Sequence, residues 1–314
     1  MTHTALDAPR HDEIASSPAP ATAPPRARHG RLDRTYLVMV VPVLVLFTLF
    51  IIFPALTGVM FSFTNYAGYG DWKFIGALNY ANMFRDPAIL QAYLFTFFFA
   101  VVTTVVVNVL SLALAVGLNA KITWRTGIRT LFFIPMVLSG LVVAYVFNYL
   151  FSNTIPALAS SLGLAPFASS ILSDERFAWI AIVFVTVWQA APGVTIIYLA
   201  GLQAIPGEVL EAAELDGAGG WRKFTSITLP LIIGYLVINI ILGFKGYLGA
   251  YEIIVALTGG GPGTATQSVA MKIFSGFTGG DYSYQMANAV VFFIITVAIS
   301  LFQLRIIQRR GVSL

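Results

Sequence analysis

Charged residues are sparse along this chain, and where they fall they cut it into long apolar intervals. The apolar parts of these intervals lie at 36–63, 92–118, 131–151, 177–203, 224–244 and 284–304. Each matches or exceeds the roughly 20 residues that a helix rising about 1.5 Å per residue needs to cross a hydrocarbon core of about 30 Å. The pattern therefore predicts six spanning helices. After residue 151 the apolar run is interrupted by Ser152, Asn153, Pro156, Ser160, Ser161, Gly163 and Pro166, which predicts a loop with a short interfacial helix. One more uncharged interval, 253–271, turns after Leu257 into Thr258-Gly259-Gly260-Gly261-Pro262-Gly263-Thr264. Lipid offers no partners for the backbone amides of such a stretch, so a turn or re-entrant loop is expected rather than a span.

Composition changes the picture from helical to membrane-embedded. Of 314 residues, 58% are hydrophobic and only 10% charged, with a mean hydropathy of +0.82. A soluble domain carries about 25% charged residues, so this surface is built for lipid and the expected class is an all-α integral membrane protein. The formal net charge of +4 is not a nucleic-acid signal, because the charges sit at the ends of the apolar intervals. With the N-terminus in the cytoplasm, thirteen basic residues fall inside: Arg10, Arg26, Arg28, Arg31, Arg34, Lys121, Arg125, Arg129, Arg222, Lys223, Arg305, Arg309 and Arg310. Four fall outside, namely Lys73, Arg85, Arg176 and Lys272, and Lys245 lies at the end of the fifth span. The positive-inside rule then places both termini of this multi-pass chain in the cytoplasm. Residues 1–35 are rich in Pro, Ala, Ser and Arg and too poor in apolar residues to pack, so a disordered tail is expected, its basic end anchoring to lipid headgroups. The first apolar run begins too late and is too long for a cleaved signal peptide.

Several chemistries are excluded. There is no cysteine, and His3, His11 and His29 all lie in the tail, which leaves no thiolate or histidine for catalysis or metal binding in the bilayer. No G-x-x-x-x-G-K-[ST], H-E-x-x-H or G-x-S-x-G occurs, so any ATP hydrolysis belongs to another chain. The first two spans and the last carry no ionisable residue at their centres, against a proton relay or voltage sensor. No catalytic residue and no cofactor is expected here.

The most informative segment joins the fourth and fifth spans, with a cytoplasmic loop at 205–223. Pro206 suits a first helical turn, Glu208 and Glu211 sit where a helix N-terminus favours anions, and Ala212 and Ala213 keep the helix slim. Gly217 falls where a left-handed C-terminal cap is wanted, and Trp221 and Phe224 restart a helix toward the membrane. Glu211, Ala212, Ala213, Asp216, Gly217 and Ala218, followed by Ile227, Leu229 and Pro230, resemble the EAA motif of the membrane subunits of ABC importers. The resemblance implies that these residues form the helix pair that docks into a cleft on an ATPase subunit.

Flanking segments narrow it. Ser62-Phe63-Thr64-Asn65-Tyr66, Phe74-Ile75-Gly76-Ala77-Leu78-Asn79-Tyr80 and Leu257 to Thr264 are similar to carbohydrate-uptake permeases of the maltose and glycerol-3-phosphate type. The likeness runs over 36–310, without the extra N-terminal helices and large external domain of the maltose permease. It implies a six-helix permease domain of type I importer fold and half of a heterodimeric pore. The implied partners are a second permease subunit, two ATP-binding subunits carrying ATP and Mg, an external solute-binding protein, a sugar-type substrate and membrane lipids, with no nucleic acid.

A polar solute crossing a bilayer needs hydrogen-bond partners, and aromatic faces suit sugar rings. By resemblance, the sugar path is lined in the fourth span near Thr186, Gln189, Ala190 and Gly193, with Trp188 beside them. At the end of the fifth it is lined near Gly243, Gly246, Tyr247, Ala250 and Glu252, with Lys245 among them. From the residues alone, Gln189 also fits an interhelical hydrogen bond and Trp188 a lipid-facing aromatic. Lys245 and Glu252, seven apart, fit an ion pair on one helical face, a solute contact or an interfacial anchor. Lys245 leaves room for an anionic cargo such as a sugar phosphate. Asn108 and Asn239 read as helix-to-helix hydrogen bonds. Two other functions remain open from the sequence. An ion-gradient secondary transporter predicts an internal repeat and intramembrane carboxylates, neither of which is found. An intramembrane glycolipid enzyme would need carboxylates converging at the surface, for which Glu211, Glu214 and Asp216 qualify by position alone.

Overall fold

The computed structural model describes residues 34–120 and 124–309. Most of the expected tail, together with Lys121 and Arg310, lies outside them. The chain divides into two units, Met1–Ile52 and Phe53–Leu314, each taken by itself. In the first, α1 (Arg34–Phe47) holds Pro42 within its length and passes into a π-helical turn, Thr48–Ile52.

The second unit opens with α2 (Phe53–Phe61) and α3 (Leu78–Met83). It continues through α4 (Pro87–Asn119), α5 (Arg125–Val137), α6 (Gly140–Tyr149), α7 (Ile155–Ser161) and α8 (Ala178–Gln203). Next come α9 (Gly207–Leu215), α10 (Gly220–Lys223), α11 (Leu229–Leu231) and α12 (Ile233–Leu248). It ends with α13 (Glu252–Thr258), α14 (Val269–Thr278) and α15 (Tyr282–Arg309). Among the described residues, five helical stretches are long and apolar enough to cross a membrane: Leu37–Phe61, Pro87–Asn119, Gly140–Ser161, Ala178–Gln203 and Tyr282–Arg305. A sixth is reached when Gly220–Leu231 and Ile233–Leu248, bent by 66° at Ile232, are taken as one broken span.

The helices α4, α8 and α15 occupy the second, fourth and sixth apolar intervals. The second starts earlier, at Pro87, because a cap rather than hydrophobicity sets its end: Asp86 Oδ1 accepts the Ala88 N–H at 2.9 Å, and Pro87 needs no donor in the first turn.

Two spans differ from expectation. The interval 131–151 is not one helix. The chain turns extended at Leu138 (ψ 144°) and Ser139 (ψ 129°), so α5 and α6 are separate and the stretch long and apolar enough to cross is Gly140–Ser161. The polar stretch expected as a loop is helical because its side chains satisfy themselves on their own helix, with the Ser161 hydroxyl donating to Leu158 O at 2.8 Å. Pro156 is tolerated because it sits in the first turn of α7, after a π turn at Leu150–Thr154 in which Ile155 N–H reaches Leu150 O. The interval 224–244 is likewise interrupted. It is π-helical at Phe224–Thr228, carries Pro230 in α11 and bends at Ile232 before α12 begins. Pro230 withdraws a backbone donor and crowds the preceding turn, where the wider π turn makes room.

The core is the pairing of α4 with α8, with α12 laid against α4. Ala100, Ala115, Ala181 and Ala191 are almost wholly buried and let the backbones approach. Buried polar groups bind the helices together. Tyr198 OH donates to Asn108 Oδ1 at 2.6 Å, the Ser111 hydroxyl donates to Ala191 O at 3.1 Å, and Asn239 Nδ2 lies 3.5 Å from Val194 O. Asn108 and Asn239 therefore serve between helices, as expected. The interval 253–271 is no span: α13 ends at Gly259 in a left-handed conformation (φ +61°), and a turn braced by Thr258 and Thr266 (Oγ1 to Oγ1, 2.9 Å) leads to α14.

Candidate functional site

Two regions hold the chemistry-bearing residues of the sequence. The first is the hairpin of α9 and α10. Pro206 stands at the N-cap of α9, one place before the first turn, and Glu208 occupies that turn. At the other end Gly217 has φ +72°, its N–H donates to Glu214 O at 3.0 Å, and Ala218 N–H donates to Ala213 O at 3.0 Å. These two bonds form the Schellman closure, which requires a residue free to turn left-handed at that position. Ala213 is buried, at 4% exposure, while Glu211, Ala212 and Asp216 are exposed.

The side chains of the hairpin divide by face. Lys223 Nζ meets Glu214 Oε1 at 2.5 Å, tying α10 to α9, and that hydrogen bond and charge hold the Glu214 carboxyl below the usual carboxylate range. Leu215 and Trp221 stand out at 90% and 78% exposure, and Glu208 and Glu211 of the same hairpin are exposed as well. This surface, part acidic and part apolar, has the composition of a protein-docking face. A crevice of about 280 Å³ separates the hairpin from the ends of α4 and α8, with Asn119, Leu202, Leu210 and Phe224 on its walls. Ile227 and Leu229 are half-buried and Pro230 is exposed where the chain turns toward α12.

The second region is a cavity of about 510 Å³ formed by α6, α8, the end of α12 and the start of α13. Thr186, Gln189, Ala190, Tyr247, Ala250 and Glu252 all line it. Gln189 also reaches the helix break between α5 and α6, its Nε2 donating to Leu138 O at 3.0 Å, so the amide serves as helix tie and cavity wall together. The Thr186 hydroxyl donates to Ile182 O at 2.7 Å.

Other expected path residues lie elsewhere. Trp188 packs on Phe147 (5.3 Å between ring centroids) and lines a wholly apolar hollow with Val106, Leu110 and Ile180. A Cβ on Gly193 would sit 3.3 Å from Met136 Sδ, and one on Gly243 would sit 3.3 Å from the Tyr247 ring. Lys245 and Gly246 are exposed and outside the lining. The Lys245–Glu252 ion pair on one helical face does not form: α12 stops at Leu248 and α13 starts at Glu252, so seven residues are not two turns of one helix. Among the described residues the ion pair recorded is Lys223–Glu214. Four lining residues escaped the sequence reading, Gly140, Gly249, Tyr251 and Ile253. All sit at the two helix breaks, whose sequence signals are Ser139-Gly140 and Gly249-Ala250.

Comparison with known proteins adds to this geometry. Residues 108–311 match the family described as binding-protein-dependent transport system inner membrane component. The multiple sugar-binding transport system permease protein MsmF of Streptococcus mutans is 36% identical over 86% of this chain and 94% of its own. The trehalose/maltose permease protein MalF of Thermococcus litoralis is 30% identical over 86% and 92%. The sn-glycerol-3-phosphate permease protein UgpA of Pectobacterium atrosepticum is 29% identical over 87% and 94%. Among solved structures, a bacterial ABC transporter involved in the import of the acidic polysaccharide alginate overlays with a TM-score of 0.77 at 21% identity, covering 88% of this chain and 97% of that one.

Proposed function

Because the chain belongs to the family of binding-protein-dependent transport system inner membrane components, we propose that it is the permease subunit of an ATP-driven importer for a sugar or sugar derivative. It forms one half of a heterodimeric pore in a prokaryotic inner membrane, with both termini in the cytoplasm. A second permease subunit supplies the other half. Two ATPase subunits hold the ATP and Mg, and an external solute-binding protein docks over the loops containing Asp71 to Arg85 and Gly259 to Gly280.

The observation that carries this reading is the hairpin. The helix Gly207–Leu215 is closed by a two-bond glycine cap at Gly217 and Ala218 and tied back through Lys223 to Glu214, which makes a stiff unit that can pass a push from an ATPase into the membrane helices. It continues directly, through the π turn and Pro230, into the bent fifth span. ATPase closure would swing the hairpin and, through that bend, shift α12 and the cavity wall that it carries. The test is Gly217→Trp in the assembled transporter. Uptake and stimulated ATPase activity should be lost while membrane insertion is kept. Normal transport by that variant would sink the reading.

The cavity is the proposed solute site, with Thr186, Gln189, Ala190, Tyr247, Ala250 and Glu252 as this chain's share of the wall. Trp188, Gly193, Gly243, Lys245 and Gly246 are proposed to support its shape or the helix packing around it, not to touch the cargo. The names of the relatives cover both neutral sugars and anions, so they leave the charge of the cargo open.

A further inference from the structure

We propose that residues 155–169 form an external docking finger that inserts into an uncharged, apolar hollow on the solute-binding protein. The proposal rests on the importer reading and its six-span topology, and adds a third contact to the two outer loops already assigned to that partner.

Height sets the finger apart from the lipid. The π turn Leu150–Thr154 packs against the short turn Ile171–Ser173, which lies just before the exposed run Asp174-Glu175-Arg176 at the start of α8. Three consecutive ionisable residues do not enter hydrocarbon, so this level marks the outer boundary of the bilayer core. The helical stretch Gly140–Ser161 runs on past that level through the seven residues of α7. At about 1.5 Å per residue this adds about 10 Å, more than the roughly 5–7 Å of one headgroup layer.

The tip is a closed turn rather than a loose loop. Gly163 takes φ +70°, its N–H donates to Ser160 O at 3.2 Å, and Leu164 N–H donates to Ala159 O at 2.8 Å. This is the glycine closure also found at Gly217. The chain then returns to the bundle, where Ser170 Oγ accepts the Leu172 N–H at 3.2 Å. Phe151 below one leg and Ile171 and Leu172 below the other pack on the same apolar cluster. Between these anchors Ala159 alone is buried among the described residues. Pro156 and the π turn below it interrupt the helical hydrogen-bond ladder, so the finger can tilt on its base as a partner seats.

Leu158, Leu162, Leu164 and Phe167 each keep about half or more of their surface exposed. Large apolar side chains gathered on one small element outside the lipid mark a protein contact. Charge identifies the complementary surface. No ionisable residue occurs between Arg129 and Asp174, whereas the outer segments 62–86 and 259–281 carry both signs, with Asp71 and Lys73 in one and Lys272 and Asp281 in the other. An ionised group on the partner would lose its water against this finger and gain no counter-charge, so the hollow that receives it is apolar and uncharged. The family is binding-protein-dependent, and the binding protein is the partner that meets the chain beyond the outer headgroups.

The experiment uses the complete transporter in lipid nanodiscs and its binding protein, purified with its own sugar bound. ATPase stimulation is titrated with binding protein for the wild type, Leu162→Asp and Phe167→Asp. Each variant should raise the half-stimulating concentration about tenfold, as loss of an interface anchor does, and leave basal ATPase activity unchanged. A spin label at Ser160→Cys gives a second reading in the otherwise wild-type chain. A water-soluble relaxation agent should reach it better than oxygen does, and adding the binding protein should shield it. Unchanged half-stimulating concentrations in both variants overturn the proposal. A label that favours oxygen and ignores the binding protein also overturns it, by placing the finger in lipid. Loss of the second permease subunit from the purified variants does so too, by assigning the finger to the permease interface. The importer reading fails separately, if the binding protein stimulates no ATPase activity in the wild type.

Discussion

Tyr198 and Asn108 show what a single pair does inside this bundle. Tyr198 is fully buried in α8, and its hydroxyl meets Asn108 Oδ1 of α4 at 2.6 Å, while Asn108 Nδ2 bonds Thr104 O at 2.7 Å in its own helix. Tyr198→Phe keeps the ring but leaves a buried amide oxygen without its donor, a loss of about 1–3 kcal/mol. Tyr198→Phe combined with Asn108→Leu removes both polar partners and should recover part of that loss, so a double-mutant cycle on thermal unfolding of the purified complex should show positive coupling. Additive effects would show that the pair does not stabilise the bundle. The two asparagines were legible in the sequence because an amide in an apolar helix has few uses. Glu252 was legible as a polar path residue, but its separation from Lys245 was not, since that depends on three residues between α12 and α13 that break the helical period.

Hydrophobicity locates long helices well where one helix fills one apolar interval, as for α4, α8 and α15, and poorly where the chain breaks inside an apolar run. Leu138 and Ile232 are themselves apolar, so a hydropathy average over each interval marks neither the break at one nor the 66° bend at the other; the signals are Ser139-Gly140 beside the first and Pro230 beside the second. The hairpin was more legible, because its glycine, alanines and acids each have a positional reason. One element there responds to pH. Glu214 sits below the usual carboxylate range through Lys223, so their pairing supports the hairpin above that range and is lost as pH falls through the lowered value. Glu214 is exposed, so solvent screening keeps this a local effect. A spin label at Leu215→Cys, a fully solvated position on α9, should gain mobility on acidification in the otherwise wild-type chain. With Glu214→Gln added, the label should already show the mobile spectrum at neutral pH. Coincident spectra at neutral pH would remove the pair from any role in holding α9 to α10.

At the scale of the whole molecule, the proposal that the chain's few charges set how it sits in the bilayer is open to direct measurement. On the proposed six-span topology thirteen basic residues fall on one side and four on the other. On the thirteen-residue side lies the hairpin, with Glu208, Glu211 and Trp221 solvent-exposed. On the four-residue side lies the segment bridged by Thr64 and Phe74, where Tyr69 is 82% exposed. Loops rich in Lys and Arg resist translocation, so the hairpin should face the cytoplasm, where ATP is available to a partner ATPase, and Tyr69 the outside, where a binding protein would approach. The chain contains no cysteine, so it needs no background substitutions before single cysteines are introduced as reporters. In intact spheroplasts a membrane-impermeant maleimide should label Tyr69→Cys on this chain and leave Glu211→Cys unlabelled until the membrane is opened. The reverse pattern would invert the topology and place the hairpin beyond the reach of any cytoplasmic ATPase, which would remove the physical basis for coupling. Three long apolar stretches, Pro87–Asn119, Gly140–Ser161 and Ala178–Gln203, lie between the two reporters, and an odd number of crossings is what puts them on opposite sides. Labelling of both sites in sealed cells would mean that one of these three stretches does not cross.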